Sequence, residues 1–437
     1  MKRMICCLIG ACLSLPMQAE TLRLDGKTPE ERGAAMVRYV ASLKADPRSE
    51  TYPKASAPLY AARLVLNVDT AYALAKLDAA AAHQLAKERD RIARKSPGSA
   101  LDPFDKAALV NTYFLGKDKI PQATAHKIRD YVALYDDHKE LTGYARNAWN
   151  YKLMMDASGF LAAEEWPELV DRAGQNAEQI KAATKARLFS GFDEITRKNF
   201  SEYGATIYLG VNLSAVRMLV EYAKDPEMRK RATLTLDAMM LDIACTWNQG
   251  YNVGSASRAK YWGSTDTGLE AMASTASAAW VSFGAPRSIG ADGIGYIHSF
   301  WMATPGAYKV PDAIVIVANQ RAEPFLHRSH VAGMGKANVH RMTWHTPDYS
   351  LCSQWDQPGD PTSGLYKESR RNMLKWVSDK ASSTLSANTS VQPNTSAKLC
   401  TAGFGQLTAC KAGSTISPQS STLCPNSRMA CANPATR

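Results

Sequence analysis

Between residues 33 and 244 the chain repeats one pattern: apolar side chains recur at three- and four-residue steps, and prolines break the run at short intervals. That spacing puts the apolar residues on one face of an α-helix, so each segment must bury a stripe against a neighbour. Helices are predicted over 33–43, 57–93, 105–115, 123–135, 144–161, 165–184, 207–222 and 227–244. The breaks fall at Pro47, Pro53, Ser96-Pro97-Gly98, Pro103, Pro121 and Pro226, since proline lacks an amide donor and cannot continue a helix from within. Asp225-Pro226, set between two long segments, reads as the tight turn of an αα-hairpin. Another helix is expected over 265–281, rich in Ala and Ser and therefore closely packed. Many antiparallel pairs in one chain point to a mainly α fold, an (α/α) toroid, complete or partial, over a globin-like or four-helix solution.

After Pro286 the character changes. Residues 312–317 are a β-branched run, and 339–343 and 349–354 alternate, so all three are predicted as strands of an antiparallel sheet. The sheet is expected to be truncated, because residues 386–437 are rich in Ser, Thr, Asn and Pro with few large apolar side chains. Such a tail buries too little surface to offset its chain entropy. Disorder, a mucin-like linker and a change of reading frame near Leu385 are the readings of this shift. The expected organisation is a leader (1–19), a toroidal helical domain (20–285), a partial β-sheet domain (286–385) and a Cys-containing tail (386–437).

The leader has the form of an export signal: Lys2 and Arg3, an apolar run over 4–15, and Pro16-Met17-Gln18-Ala19 as the cleavage site. Ile9-Gly10-Ala11-Cys12 weakly resembles a lipoprotein cleavage box, and cleavage after Ala19 is preferred. No later stretch reaches the roughly 18 uninterrupted apolar residues of a membrane span, so a periplasmic or secreted protein without membrane insertion is expected. The formal charge is +11, of which the leader carries +2 and the acid-free tail +4 through Lys398, Lys411, Arg428 and Arg437, leaving +5 on the body. That mild excess favours an acidic polysaccharide and gives no argument for nucleic acid. Six of the nine cysteines lie beyond the leader, at 245, 352, 400, 410, 424 and 431; they could pair, and none has the close spacing of a zinc site.

The segment 246–263 is dense in aromatic faces and hydrogen-bonding tips, among them Trp247, Tyr251, Asn252, Arg258, Tyr261 and Trp262. Sugar rings stack on such faces and their hydroxyls need such partners; a well-satisfied surface loop is the plain alternative. Upstream stands Glu202-Tyr203-Gly204-Ala205-Thr206-Ile207-Tyr208, followed by Asp225-Pro226-Glu227-Met228-Arg229 and Gly254-Ser255-Ala256-Ser257-Arg258. The first segment resembles a Glu-aromatic-x-Ser-Pro-x-Tyr motif, and the set is similar to that of bacterial heparinase II/III-like and alginate-lyase-like polysaccharide lyases, whose α/α toroid is followed by a β-sandwich. Arg146-Asn147-Ala148-Trp149-Asn150 lies where such proteins often show Glu-Asn-His, and Thr346-Pro347-Asp348-Tyr349 resembles the opening of their sheet domain. The likeness covers about residues 141–357. The chain departs from it at Arg146, at Ala148 in the histidine position, at Ala205-Thr206 in place of Ser-Pro, and in its shortened sheet.

The resemblance implies β-elimination on a uronic acid, a reaction that removes a weakly acidic proton beside a carboxylate and requires that carboxylate to be neutralised. Asn147 and Arg258 would hold it, the guanidinium bidentately. Tyr208 would move the proton, with Tyr251 and Tyr203 as alternatives, provided nearby cations lower a phenol pKa of about 10. Glu202 would orient Arg258 or a sugar hydroxyl, and Trp247, Tyr251, Tyr261, Trp262 and Tyr203 would contact the sugar rings. No cofactor and no metal is expected: His327-Arg328-Ser329-His330, His340 and His345 lack a completing acidic cluster. One of the latter two histidines could instead reach across the toroid mouth to replace the one missing at Ala148. Two other classes stay open. A glycoside hydrolase would need paired carboxylates about 5–5.5 Å or 6.5–9.5 Å apart, from Glu202, Asp266 and Glu270; a non-catalytic glycan-binding protein would keep the groove alone. Gly290-Ala291-Asp292-Gly293-Ile294-Gly295 lacks the strand–turn–helix context of a phosphate loop, and no serine elbow is present.

Overall fold

The prolines that interrupt the apolar pattern open helices. In the computed structural model, which describes residues 27–47, 50–94, 102–134, 148–199, 203–205, 207–248, 251–256, 274–284, 300–319, 323–332, 338–356, 372–376, 384–387, 397–398 and 410–411, Pro29, Pro53, Pro103 and Pro226 occupy the first turn of α1 (Pro29–Ser42), α2 (Pro53–Leu66), α4 (Pro103–Gly116) and α9 (Pro226–Ala244). A missing amide costs nothing there. Between them run α3 (Thr70–Ala93), α5 (Gln122–Ala133), α6 (Trp149–Glu165), α7 (Ala177–Lys198) and α8 (Tyr208–Tyr222). Three further helices follow: α10 (Ser274–Phe283), α11 (Phe300–Ala303) and α12 (Asp312–Asn319). Thr28 and Asn176 close reciprocal capping boxes with Glu31 and Gln179, and Asp225 accepts from the amides of Glu227 and Met228.

Three expectations are corrected. The single helix over 57–93 is two, because Asn67 (φ 56°) and Asp69 (φ 46°) take the left-handed conformation that short polar side chains tolerate. The helix over 165–184 is interrupted: α6 ends at Glu165, a turn through Gly174 (φ 83°) intervenes, and the Asn176 box starts α7. The run 312–317 is α12 and not a strand. The Ile314 and Val315 amides bond the Pro311 carbonyl, and Ile314 and Ala318, one turn apart, are buried where α12 meets α9 and α10. Burial of one helical face overrides the β-branched preference.

Burial divides the helices into two kinds. In α8 every residue from Leu209 to Val220 is buried, and α2, α4 and α6 are buried almost as completely, whereas α3, α5, α7 and α9 bury one face. The helices α2, α4, α6 and α8 contact one another in that order, α8 contacts α10, and α1 touches both α10 and α2. Among the described residues no helix is long and apolar enough to cross a membrane. The leader 1–19 lies outside the described residues, as does most of 386–437.

The β structure is a short hairpin, β1 (Trp247–Asn248) with β2 (Tyr251–Asn252), and an unclosed five-stranded antiparallel meander. Its strands, in spatial order, are β3 (Phe325–Ala332), β4 (Asn338–His345), β5 (Tyr349–Asp356), β6 (Asn372–Trp376) and β7 (Thr384–Ala387). The strands predicted at 339–343 and 349–354 are β4 and β5. A two-residue pair, β8 (Ala397–Lys398) with β9 (Cys410–Lys411), follows. The molecule is thus mainly α with a small open sheet.

The seam between α1 and α11 allows a test. A Cβ at Gly33 would stand 2.7 Å from the Ala303 carbonyl oxygen. Gly→Ala inside a helix ordinarily stabilises by about 0.5–1 kcal/mol, but Gly33→Ala is expected to destabilise by about 1–3 kcal/mol in urea unfolding because backbone must move. A stabilised variant would contradict this close approach.

Candidate functional site

The last turn of α9 carries Asp242 and, three residues on, the helix-capping Cys245. The chain then folds back: the Val253 amide donates to the Thr246 carbonyl at 2.8 Å, and the Thr246 hydroxyl bonds the Asp242 and Ile243 carbonyls. Gly204 (φ 55°) lets the backbone beside Tyr203 approach this segment, since a Cβ there would fall 2.5 Å from the Ser255 carbonyl oxygen. The sheet meets the same place. Register pairs Phe325 with His345, His327 with Thr343 and Ser329 with Arg341, so these side chains share one face. That face is covered (Arg341, Thr343, His345, Ser350 and Cys352 are buried), while Leu326, Arg328, His330, Trp344 and Leu351 on the other are exposed.

Arg341 is the centre of the contact. It is 2% exposed, its Nη1 donates to both Asp242 oxygens at 3.0 and 3.1 Å, its Nε reaches the Ser255 hydroxyl at 3.3 Å, and its guanidinium lies 4.7 Å over the Tyr203 ring. His327 approaches the same carboxylate, Nε2 to Oδ1, at 3.8 Å. Burial opposes ionisation of Asp242, but the Arg341 charge and the His327 imidazole outweigh it and hold the carboxyl far below its ordinary range. Burial likewise disfavours the imidazolium of His327, yet Asp242 and the neighbouring Cys245 thiol lift its pKa to about 9.

A second polar chain ties the sheet to β1. Asn248 Nδ2 donates to the Ser350 hydroxyl, which lies 2.7 Å from His345 Nδ1, and His345 Nε2 lies 2.8 Å from the Cys245 carbonyl. A carbonyl only accepts, so Nε2 carries a proton, and in the neutral ring Nδ1 accepts from Ser350. His345 is wholly buried with both nitrogens engaged. His340 sits on the outer face against His330, ring centroids 4.9 Å apart. Beside them a cavity of about 550 Å³ is lined by Arg328, Ser329, His330, His340, Arg341 and Met342. Among the described residues no group of three or more His, Cys, Asp or Glu side chains surrounds a point that could hold a metal ion.

Of the residues singled out in the sequence, Asn147, Glu202, Arg258, Tyr261 and Trp262 lie outside the described residues. So do the hydrolase candidates Asp266 and Glu270 and the Tyr251 side chain, although the Tyr251 backbone pairs in β2. Tyr208 opens α8 and is half-buried. Trp247 is wholly buried against Phe283, ring centroids 5.9 Å apart, and Tyr203 is buried beneath Arg341. Neither ring has a face open to a sugar; both pack. Cys245 is a free thiol.

No family model matches this chain, and no curated protein does. The junction's own chemistry must speak for it. Sequence reading missed Asp242, His327 and Arg341 as partners, because only the strand register brings them together. The available signal was the alternation Phe325, His327, Ser329, Val331 in β3.

The junction fixes how stability depends on pH. Asp242, depressed in the folded state, adds stability above the ordinary carboxylate range, lost as pH falls below about 4. His327, raised from 6.5 to about 9, adds stability in full below about 6.5 and loses it as pH rises through about 9. Urea midpoints are expected to be highest between those limits. Arg341→Met, which strands the Asp242 charge, is expected to cost about 3–5 kcal/mol at pH 7; an unchanged midpoint would remove the junction's role.

Proposed function

We propose that this is an exported protein that acts on an acidic polysaccharide, with β-elimination at a uronic acid as its reaction. The observation that carries the reading is the cavity beside β3 and β4. Its lining presents Arg328 and the His330–His340 pair from the exposed face of the sheet, with no carboxylate among the described residues, and its volume suits a sugar unit or two. Cationic and hydrogen-bonding groups of this kind favour an anionic sugar. The order of helix contacts, with α2, α4, α6, α8 and α10 meeting in sequence and α1 touching both α2 and α10, supports an (α/α) toroid carrying the sheet. The segment from Trp247 to Ala256, anchored to both α9 and the sheet, leads in sequence to Arg258, Tyr261 and Trp262, the residues the lyase resemblance marks.

In this reading Asn147 and Arg258, with Arg328, neutralise the uronate carboxylate. Tyr208 takes the ring proton beside it, the carbon–oxygen bond to the neighbouring sugar breaks, a carbon–carbon double bond forms in the ring, and the departing oxygen receives a proton. A non-catalytic glycan-binding protein is the second reading, favoured by Ala148 in the histidine position.

Near-ultraviolet absorbance, followed as purified protein meets alginate, heparin-type, chondroitin and pectic substrates, separates these readings. A lyase raises absorbance through its unsaturated product, and Tyr208→Phe is expected to reduce that rate by at least ~100-fold. New reducing ends without absorbance identify hydrolysis. Binding without either product identifies the glycan-binding protein and overturns the enzymatic reading.

A further inference from the structure

We propose that His330, His340 and Met342, on the outer face of the sheet, form a binding site for a copper ion. This goes beyond the glycan reading and does not rest on it.

Strand register brings the three side chains together. His330 on β3 stands directly opposite His340 on β4, and such partners have Cβ atoms about 4.5–5.5 Å apart. Met342 follows His340 by two positions, so it projects from the same face, about 7 Å along the strand. All three line the cavity of about 550 Å³ beside β3 and β4, which leaves room for an ion and its remaining ligands. His330 is exposed and His340 and Met342 are half-buried, so an ion can enter from solvent.

The separation of the rings fits a shared ion. An ion bound at about 2.0 Å by one nitrogen of each imidazole, with about 90–120° between the bonds, sets the ring centroids roughly 4.5–5.5 Å apart. Here they are 4.9 Å apart, with the ring planes at 45°. Arg328 shares this face, opposite Met342. It is exposed, so water and salt screen its repulsion of a cation.

Ligand type selects the metal. Calcium and magnesium need shells of oxygen, and no carboxylate lines the cavity among the described residues. Zinc sites are built from thiolate, imidazole and carboxylate, and a thioether does not complete one. Two imidazoles and a thioether suit copper: imidazole binds it, thioether sulfur favours the cuprous ion, and the cupric ion stands highest in the divalent affinity order. The acidic cluster these histidines lack is a requirement of harder ions and not of copper. A bound cation also adds to the positive character that would draw an anionic sugar to the same cavity.

The test uses the full, untagged chain with its accessible thiols blocked by iodoacetamide, and copper ions as the probe. One equivalent of cupric sulfate, followed by electron paramagnetic resonance, is expected to show coupling to two imidazole nitrogens. Either His330→Gln or His340→Gln should leave coupling to one and weaken cupric binding at least ~10-fold, since the second imidazole otherwise binds as an intramolecular ligand. Met342→Leu should keep the cupric affinity of the parent and weaken cuprous binding at least ~10-fold, read by competition with bathocuproine disulfonate under ascorbate. A parent protein whose first cupric ion couples to fewer than two nitrogens overturns the proposal even where the variants fail to fold. So does a protein carrying both His330→Gln and His340→Gln that binds copper as tightly as the parent, or a Met342→Leu protein with unchanged cuprous affinity. Failure of the polysaccharide assay leaves these readouts unaffected.

Discussion

Asp242 sets the terms on which the sheet meets the helices. Apolar contact there is slight: Tyr203, Val331 and Val339 form a small cluster separate from the main core. Apolar burial is non-directional and would let the sheet sit in many ways. A charge-assisted contact in which one guanidinium nitrogen meets both oxygens of a carboxylate is directional, and here the same guanidinium also covers Tyr203 and reaches Ser255. Replacing such a pair with well-packed apolar residues is often neutral or stabilising, so its value lies in defining one geometry rather than in net stability. The cavity beside β3 and the Asn248–Ser350–His345 chain both depend on that geometry.

The helical layer is built on different physics. Its buried helices carry polar residues such as Lys106, Asn150, Asn212 and Arg217 within otherwise apolar surroundings. Arg217 answers its desolvation by donating to the Trp301 and Thr304 carbonyls and pairing with Glu221, while Arg32 binds the Val281 and Ser282 carbonyls. These two arginines stitch α8 and α1 to the ends of α10 and α11. They do in the helical layer what Arg341 does at the sheet.

Much of this was legible in the sequence where one segment decides its own structure. Proline at the first turn and Asp225 as a cap located α9, and alternation located β4 and β5. Legibility failed where tertiary contact decides. The β-branched run beginning at Asp312 is helical because α9 and α10 cover one side of it, and the split between α2 and α3 rests on two left-handed residues. The site was least legible of all. Trp247 reads as a sugar platform by composition, but Phe283 buries it, and Arg341 carries no local mark of its pairing with a carboxylate 99 positions earlier.

The most direct measurement of the charged junction is an NMR titration of the His327 ring nitrogens in the folded protein. An imidazolium bound to Asp242 beside Cys245 predicts a midpoint near 9, with Asp242→Asn bringing it back toward the ordinary histidine value of about 6.5. A parent protein whose His327 already titrates near 6.5, or one in which Asp242→Asn leaves the midpoint unmoved, would contradict the junction as described.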